Sequence, residues 1–207
     1  MTDNSKDEFI EIARIKEEFI ANASHELKTP IASVRLAAES ALTSLERDDG
    51  MTKSFLEQIL RDSDRMNELI SDLLDLSAME SSDVFMETFD LHDVIANEIS
   101  YLSKQNKKRI SYKKKKVEIN ANFDDISLAV KNLIKNALKY SPPEENILIQ
   151  IEENDKSVRC SFQDFGSGIS KSDQEKIFER FYRVDKGRSR KVGGTGLGLA
   201  IVKHALD

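Results

Sequence analysis

From about Glu8 to Glu46 apolar side chains return every three or four residues: Phe9, Ile12, Phe19, Ala23, Leu27, Ile31, Val34, Ala38, Ala41 and Leu45. That spacing predicts one helix of many turns, longer than a globular average and in the range of bundles and coiled coils. Asp48-Asp49-Gly50 interrupts it with turn chemistry. A second stripe runs through Phe55, Ile59, Met66, Leu69, Leu73 and Leu76, widened by Ile70 and Leu74. Two long helices and a short turn predict an antiparallel hairpin. A hairpin alone cannot bury both stripes, so the pattern predicts a homodimer that closes a four-helix bundle.

The pattern changes after Ser81-Ser82-Asp83, which ends the second helix and opens a short linker. A domain boundary is expected there, with the hairpin in residues 1–83 and a mixed α/β domain in 84–207. Asp90 is placed to cap a helix to about Lys104, and the basic stretch Lys104 to Lys116 reads as a solvated hairpin or loop. Asp124 or Asp125 should cap a helix through Tyr140, which stops before Pro142-Pro143. Ile147-Ile149-Ile151 and Val158-Cys160-Phe162 alternate on either side of Asn154-Asp155, the signature of an antiparallel hairpin with one buried face. Ser172 with Glu175 predicts a capping box for a short helix carrying Ile177, Phe178 and Phe181. A glycine cluster and a helix from Leu197 to Leu206 finish the chain.

Composition narrows the classes. With 31 basic and 37 acidic side chains the net charge is −6, which offers no footprint for general nucleic-acid binding. No apolar run approaches the roughly 20 residues that span a bilayer, and no signal peptide is visible. The expectation is a cytoplasmic protein, or the cytosolic portion of a longer, membrane-anchored one. The single Cys160 excludes an internal disulfide and a cysteine-rich metal site.

Candidate chemistry begins in Ser24-His25-Glu26-Leu27-Lys28-Thr29-Pro30. At about 100° per residue, His25 shares its helix face with Ala21, Asn22, Thr29, Ala32 and Ser33, all small or short and polar, while the apolar stripe lies elsewhere. Pro30 has no N–H for the carbonyl of Glu26, so a bend is expected one turn past the histidine. A solvent-facing histidine near an incidental proline would look the same. The second half changes the weighting, because it carries polar and glycine-rich motifs without a nucleophile of their own.

On the helix ending at Tyr140, Asn132, Asn136 and Lys139 form a line apart from the core face of Ile126, Val130, Leu133, Ala137 and Tyr140. Asparagine costs roughly 0.5 kcal/mol against alanine inside a helix, so two in line are a poor choice for a merely solvated face. Amide oxygens coordinate Mg²⁺, and a lysine meets phosphate as a point charge. Asp164-Phe165-Gly166-Ser167-Gly168 follows a strand, where a carboxylate could accept from an exocyclic amine and glycines admit a ligand close to the backbone. Gly193-Gly194-Thr195-Gly196-Leu197-Gly198-Leu199 opens a helix whose exposed N–H groups suit phosphate. Leu199-Ala200 stand where a Walker loop has Lys-Ser/Thr, and no strand leads in, so it is neither a P-loop nor a dinucleotide fingerprint. The basic Lys186 to Lys191 between the glycine sites reads as a mobile lid over phosphates.

Taken together, these segments resemble the catalytic core of bacterial sensor histidine kinases. Phe19 to Pro30 is similar to the phosphoacceptor box. Asn132-Leu133-Ile134-Lys135-Asn136-Ala137, Asp164-Phe165-Gly166-Ser167-Gly168, Phe178-Glu179-Arg180-Phe181 and Gly194-Thr195-Gly196-Leu197-Gly198 are similar to the asparagine, first glycine, phenylalanine and second glycine boxes, in the family's order. The resemblance implies a dimeric four-helix bundle followed by an α/β-sandwich ATP-binding domain of the histidine kinase, chaperone and gyrase type. It implies that His25 accepts the γ-phosphoryl group of ATP on Nε2, that Glu26 fixes the tautomer through Nδ1–H, and that Asn136, near Asn132, holds Mg²⁺. Asp164 would recognise adenine, Tyr140 would pack on it, and Gly194, Gly196 and Gly198 would let the lid close. The phosphoryl group would pass to an aspartate of a response-regulator receiver domain, with Thr29 aiding its later removal. Phe165 departs from the family's frequent asparagine. The chain also stops at Asp207, before the strands that usually complete the sheet, so a truncated domain is expected. Two other functions stay open: a catalytically impaired dimeric scaffold, and an ATPase of the chaperone or mismatch-repair type, against which the hairpin argues.

Overall fold

The computed structural model describes residues 3–47, 49–81, 85–184 and 194–207. The stripes become two helices, α1 (Asp3–Arg47) and α2 (Thr52–Ser81), and α1 runs through Pro30. Between them Gly50 takes φ +72, a left-handed turn position that favours glycine. Asp49 accepts from the backbone N–H of Met51 at 3.0 Å and from the Ser44 hydroxyl, while Thr52 donates to Ser44 at 3.1 Å. Those bonds, the Ser44 hydroxyl first, hold the Asp49 carboxyl below its usual range. The buried line of α1 is Pro30, Ala37, Ala41 and Ser44. Small side chains there let the helices approach closely. Ile31, Leu45, Ile70 and Leu74, expected in the core, are instead 46–65% exposed, together with Ile20, Leu42, Leu56 and Leu60. Each stripe is too wide for one neighbouring helix to cover, so its outer edge stays open within a single chain.

Contacts divide the chain into two compact units, Met1–Ser71 with Gly193–Thr195, and Asp72–Val192 with Gly196–Asp207. In the second, β1 (Glu87–Asp90) leads into α3 (Leu91–Tyr101), then α4 (Lys104–Lys108), β2 (Ile110–Tyr112), β3 (Glu118–Ala121), α5 (Phe123–Tyr140), β4 (Ile147–Glu153), β5 (Val158–Gln163), a 3₁₀ turn at Lys176–Phe178 and α6 (Gly198–Leu206). β1 pairs antiparallel with β3, Glu87 opposite Ala121. The other sheet has the order β2-β4-β5, parallel between β2 and β4 and antiparallel between β4 and β5. Leu91, Val94 and Ile95 of α3, Val130 and Ile134 of α5, and Ile149 and Ile151 of β4 close the core with Val117. Phe89 and Phe123 meet edge to face at 5.1 Å. The β4–β5 hairpin is as the alternation requires, and the Cys160 thiol, in partial burial, is pushed up to about 11.

Several boundaries differ from expectation. Asp90 caps α3 through the N–H of His92 at 2.9 Å, but the helix ends at Tyr101, and Ser103 starts α4 by accepting from Asn106. The basic stretch holds α4 and β2 ahead of the loop at Lys113 to Lys116, because Ile110 and Tyr112 are the apolar positions that reach the core beside β4. Asn122, not Asp124 or Asp125, caps α5: its side-chain oxygen accepts from both of their N–H groups at 3.0 and 3.2 Å. Ile134 takes the core place assigned to Tyr140, which is 53% exposed. No Ser172–Glu175 box forms. The Ser170 backbone carbonyl accepts from the N–H groups of Asp173 and Gln174 instead, and the helix shrinks to one 3₁₀ turn as Glu179 becomes extended. The Lys186 to Lys191 lid, Gly193, and the linker residues 82–84 lie outside the described residues.

Candidate functional site

The α5 helix organises the candidate site of the second unit. Asn132 is buried at 6% and donates its Nδ2 to the Leu128 carbonyl at 2.9 Å, one turn back. With the amide nitrogen committed, the side-chain oxygen is turned toward Gly198 at the start of α6. A Cβ on Gly198 would lie 2.8 Å from that oxygen and 3.7 Å from the Asn136 amide nitrogen. The two asparagines and the glycine-rich helix start therefore share one small cradle, which any side chain at 198 would fill. Cradle and amide chemistry fit a phosphate-bound Mg²⁺. Among the described residues no cluster of His, Cys, Asp and Glu offers an all-carboxylate alternative.

The far end of α5 meets the first glycine box. Ser141, the C-cap, donates its N–H to Ala137 at 3.1 Å and accepts the Phe165 N–H on its hydroxyl at 3.0 Å. Gly166 donates to Asp164 Oδ1 at 2.8 Å, and a Cβ at 166 would stand 2.8 Å from the Tyr140 carbonyl oxygen. Asp164 and Tyr140 are thereby brought to one edge of the site. Lys139 lies with its Nζ 5.5 Å from the Tyr140 ring centroid, so cation and exposed ring form one surface. Arg109 was hidden from the sequence reading inside a basic run. Its guanidinium donates to the carbonyls of Leu138, Ser141 and Pro142 at 3.3, 3.3 and 2.7 Å, and its Nε to Glu145 at 3.2 Å. It thus fastens the helix end that presents Tyr140.

Phe181 sits at φ 64, a strained value for a residue with a side chain. Its N–H donates to the Gly196 carbonyl at 2.9 Å, and a Cβ on Gly196 would lie 2.9 Å from the Cα of Phe181. The phenylalanine and second glycine boxes are thus in direct backbone contact. Beside them Tyr182 donates to Asp173 at 2.6 Å; the Ser170 hydroxyl and this bond lower the Asp173 carboxyl, and the same bond raises the Tyr182 phenol. Gly194 takes φ 113, while Thr195 and Leu197 are buried. Gly168 takes φ 74 with nothing near its missing Cβ.

In the hairpin, His25 is exposed and Glu26 half-buried. Glu26 Oε2 accepts from Arg65 on α2 at 3.1 Å, a partner that the sequence reading missed because it lies 39 residues away. The Thr29 hydroxyl donates to the His25 carbonyl at 3.2 Å, a back-bond within the helix. No described helix is long and apolar enough to cross a membrane.

An exposed histidine on a long helical hairpin and an asparagine–glycine cradle on an α/β domain define a class, and comparison with known proteins gives the same one. Residues 15–82 match the His Kinase A (phospho-acceptor) domain, and residues 121–207 match the histidine kinase-, DNA gyrase B- and HSP90-like ATPase family. The chain belongs to the sensor histidine kinase family. It is 34% identical over 201 residues to the sensor-like histidine kinase SenX3 of Mycolicibacterium smegmatis, covering 91% of this chain and 50% of that protein. It is 36% identical over 200 residues to the sensor histidine kinase WalK of Bacillus subtilis, covering 93% of this chain and 33% of that one. The chain therefore spans between a third and a half of these curated relatives. The fold is that of the histidine kinase ThkA solved in complex with the response regulator protein TrrA, with a TM-score of 0.68 at 20% identity over 88% of this chain and 55% of that one.

Proposed function

We propose that the chain is the catalytic core of a two-component sensor: residues 1–83 dimerise and carry the phosphoacceptor His25, and residues 84–207 bind ATP. The neutral imidazole attacks the γ-phosphorus through Nε2. An N–P bond forms as the bond to the β,γ-bridging oxygen breaks, and ADP leaves. Glu26 accepts from Nδ1–H and supports the charge that develops on the ring. Asn136, with Asn132 behind it, would hold Mg²⁺, which neutralises phosphate charge when bound. Lys139 meets the phosphates, Asp164 accepts from the adenine amine, and Tyr140 packs on the base. Gly194, Thr195, Gly196, Leu197 and Gly198 line the phosphates, and Phe181 anchors the loop leading to them. Catalysis is then mostly positioning.

The observation that carries this reading is the shared cradle of Asn132, Asn136 and Gly198 in a chain whose exposed His25 has the family's sequence around it. The open row of Ile20, Ile31, Leu42 and Leu45 on α1, with Leu56, Leu60 and Ile70 on α2, supports a homodimer, since a second hairpin would cover it. The regulator partner is drawn from the kinase–regulator pairing of ThkA and TrrA, and a cytoplasmic location from the need to meet ATP and that regulator. The test is to incubate the chain with Mg²⁺ and γ-labelled ATP, remove the nucleotide, and add a receiver domain. Label should appear on the chain and then move to the receiver; label that never enters the chain would overturn the reading.

A further inference from the structure

Glu26 and Arg65 join the two hairpin helices through a charge-assisted bond of 3.1 Å. Their side chains are 29% and 19% exposed, against 57–82% for the in-helix pairs Arg14–Glu18 and Arg35–Glu39. A pair this sheltered is less screened by water and salt. Glu26 lies one turn from the buried Pro30 on the α1 face turned toward α2, whereas His25, about 100° further round, is exposed. The carboxylate is thus held from the opposite helix while the adjacent imidazole is exposed. Of the charged groups on neighbouring turns, Lys28 is on the exposed side of α1, and Asp62 and Glu68 lie one turn either side of Arg65 on α2. Asp62 is engaged by Gln58 Nε2 at 2.8 Å.

We propose that Arg65 is a positioning residue for phosphoryl transfer: it holds the Glu26 carboxylate still, so that His25 finds it with the imidazole proton on Nδ1. This deepens the kinase reading above and rests on it. His25 must face two reactants in turn, ATP and then a regulator's aspartate, so the imidazole is the side chain that has to move. A fixed acceptor is what gives a moving ring the same tautomer each time. A neutral imidazole left to itself favours the proton on Nε2, the nitrogen that must attack. An unanchored glutamate, with three rotatable bonds, would offer its oxygens to Nδ1 only part of the time.

The test uses the full chain labelled with ¹⁵N-histidine, with His25 assigned by its loss in His25→Gln. Two-bond ¹H–¹⁵N spectra of the neutral ring should place the His25 proton on Nδ1. In Arg65→Met it should shift to Nε2, and Arg65→Lys should restore most of the Nδ1 form. The rate constant of labelling by ATP should fall about tenfold in Arg65→Met with KM for ATP unchanged. In a Glu26→Ala background the same change should cost less than twofold, because no acceptor is left to hold. Arg65→Gln carries the same test should the methionine variant fold poorly. An unchanged tautomer, or an equal fall in rate with and without Glu26, would overturn the proposal. Absence of label in the unaltered chain would strike the kinase reading instead, and the spectra would still judge Arg65.

Discussion

Three glycines of the ATP-binding unit allow backbone conformation and space to be tested apart. Gly168 has φ +74 and open space around its missing Cβ; Gly166 has an ordinary φ but backbone oxygen of Tyr140 2.8 Å from that position; Gly196 combines φ +76 with Phe181 backbone at 2.9 Å. For Gly168→Ala only the left-handed conformation counts, about 1–2 kcal/mol, offset by about 0.4–1 kcal/mol from a stiffer unfolded chain. The net loss should be about 1 kcal/mol. Gly166→Ala meets a carbonyl that cannot swing aside, an overpacking cost of about 1–3 kcal/mol. Gly196→Ala carries both terms, about 2–4 kcal/mol, and it also pushes on a Phe181 already strained at φ 64. At roughly 2–4 °C per kcal/mol the melting points should fall in the order 168, 166, 196, with the last lower by about 10 °C. Urea unfolding followed by circular dichroism gives the stabilities, and equilibrium dialysis of a non-hydrolysable ATP analogue gives binding. Gly196→Ala should lose the nucleotide and Gly168→Ala should keep it to within about tenfold, or about 1.4 kcal/mol. A Gly196→Ala protein as stable and as avid as Gly168→Ala would refute the close contact between the two boxes.

Asn136→Ala should abolish Mg²⁺-dependent labelling and leave the sedimentation coefficient of the chain unchanged, because Asn136 lies on α5 and the hairpin stripes on α1 and α2. Thr29→Ala should label normally and lose most dephosphorylation of a phosphorylated receiver, while Thr29→Ser keeps both; equal phosphatase rates in Thr29→Ala and the parent would remove the part given to Thr29 in dephosphorylation. Burial pushes the Cys160 thiol up to about 11, so a thiol reagent at pH 8 should label it slowly until urea unfolds the chain. Because the folded thiol keeps its proton to higher pH than the unfolded one, the stability it contributes is complete below about pH 9 and lost toward pH 11, visible as a urea midpoint that falls more steeply across that window in the parent chain than in Cys160→Ala.

The helices were legible because their signals are local: a three-to-four spacing for α1 and α2, period two for β4 and β5, prolines after Tyr140. Short strands were not. β1, β2 and β3 have four, three and four residues, too few for a period, and β2 exists because Ile110 pairs with Ile147 far along the chain. The same distance hid Arg65 and Arg109, whose roles depend on which carboxylate or carbonyl the fold brings to them. Asn122 displaced the expected aspartate cap because its amide oxygen reaches two N–H groups at once, a choice among three capping residues within four positions that composition does not rank. The candidate site residues were readable as motifs, since Asn132, Gly198, Gly166 and Phe181 each sit beside a signature of their own. Their mutual contacts needed the fold.

The most direct measurement of the central claim is the chemical stability of the label. A phosphoramidate on histidine is lost in acid and survives base, whereas phosphoserine behaves the other way. After incubation with Mg²⁺ and γ-labelled ATP, the chain should carry acid-labile, base-stable label, and His25→Gln should carry none although His92 and His204 remain. Full acid-labile labelling in His25→Gln, or acid-stable label in the parent chain, would contradict the account.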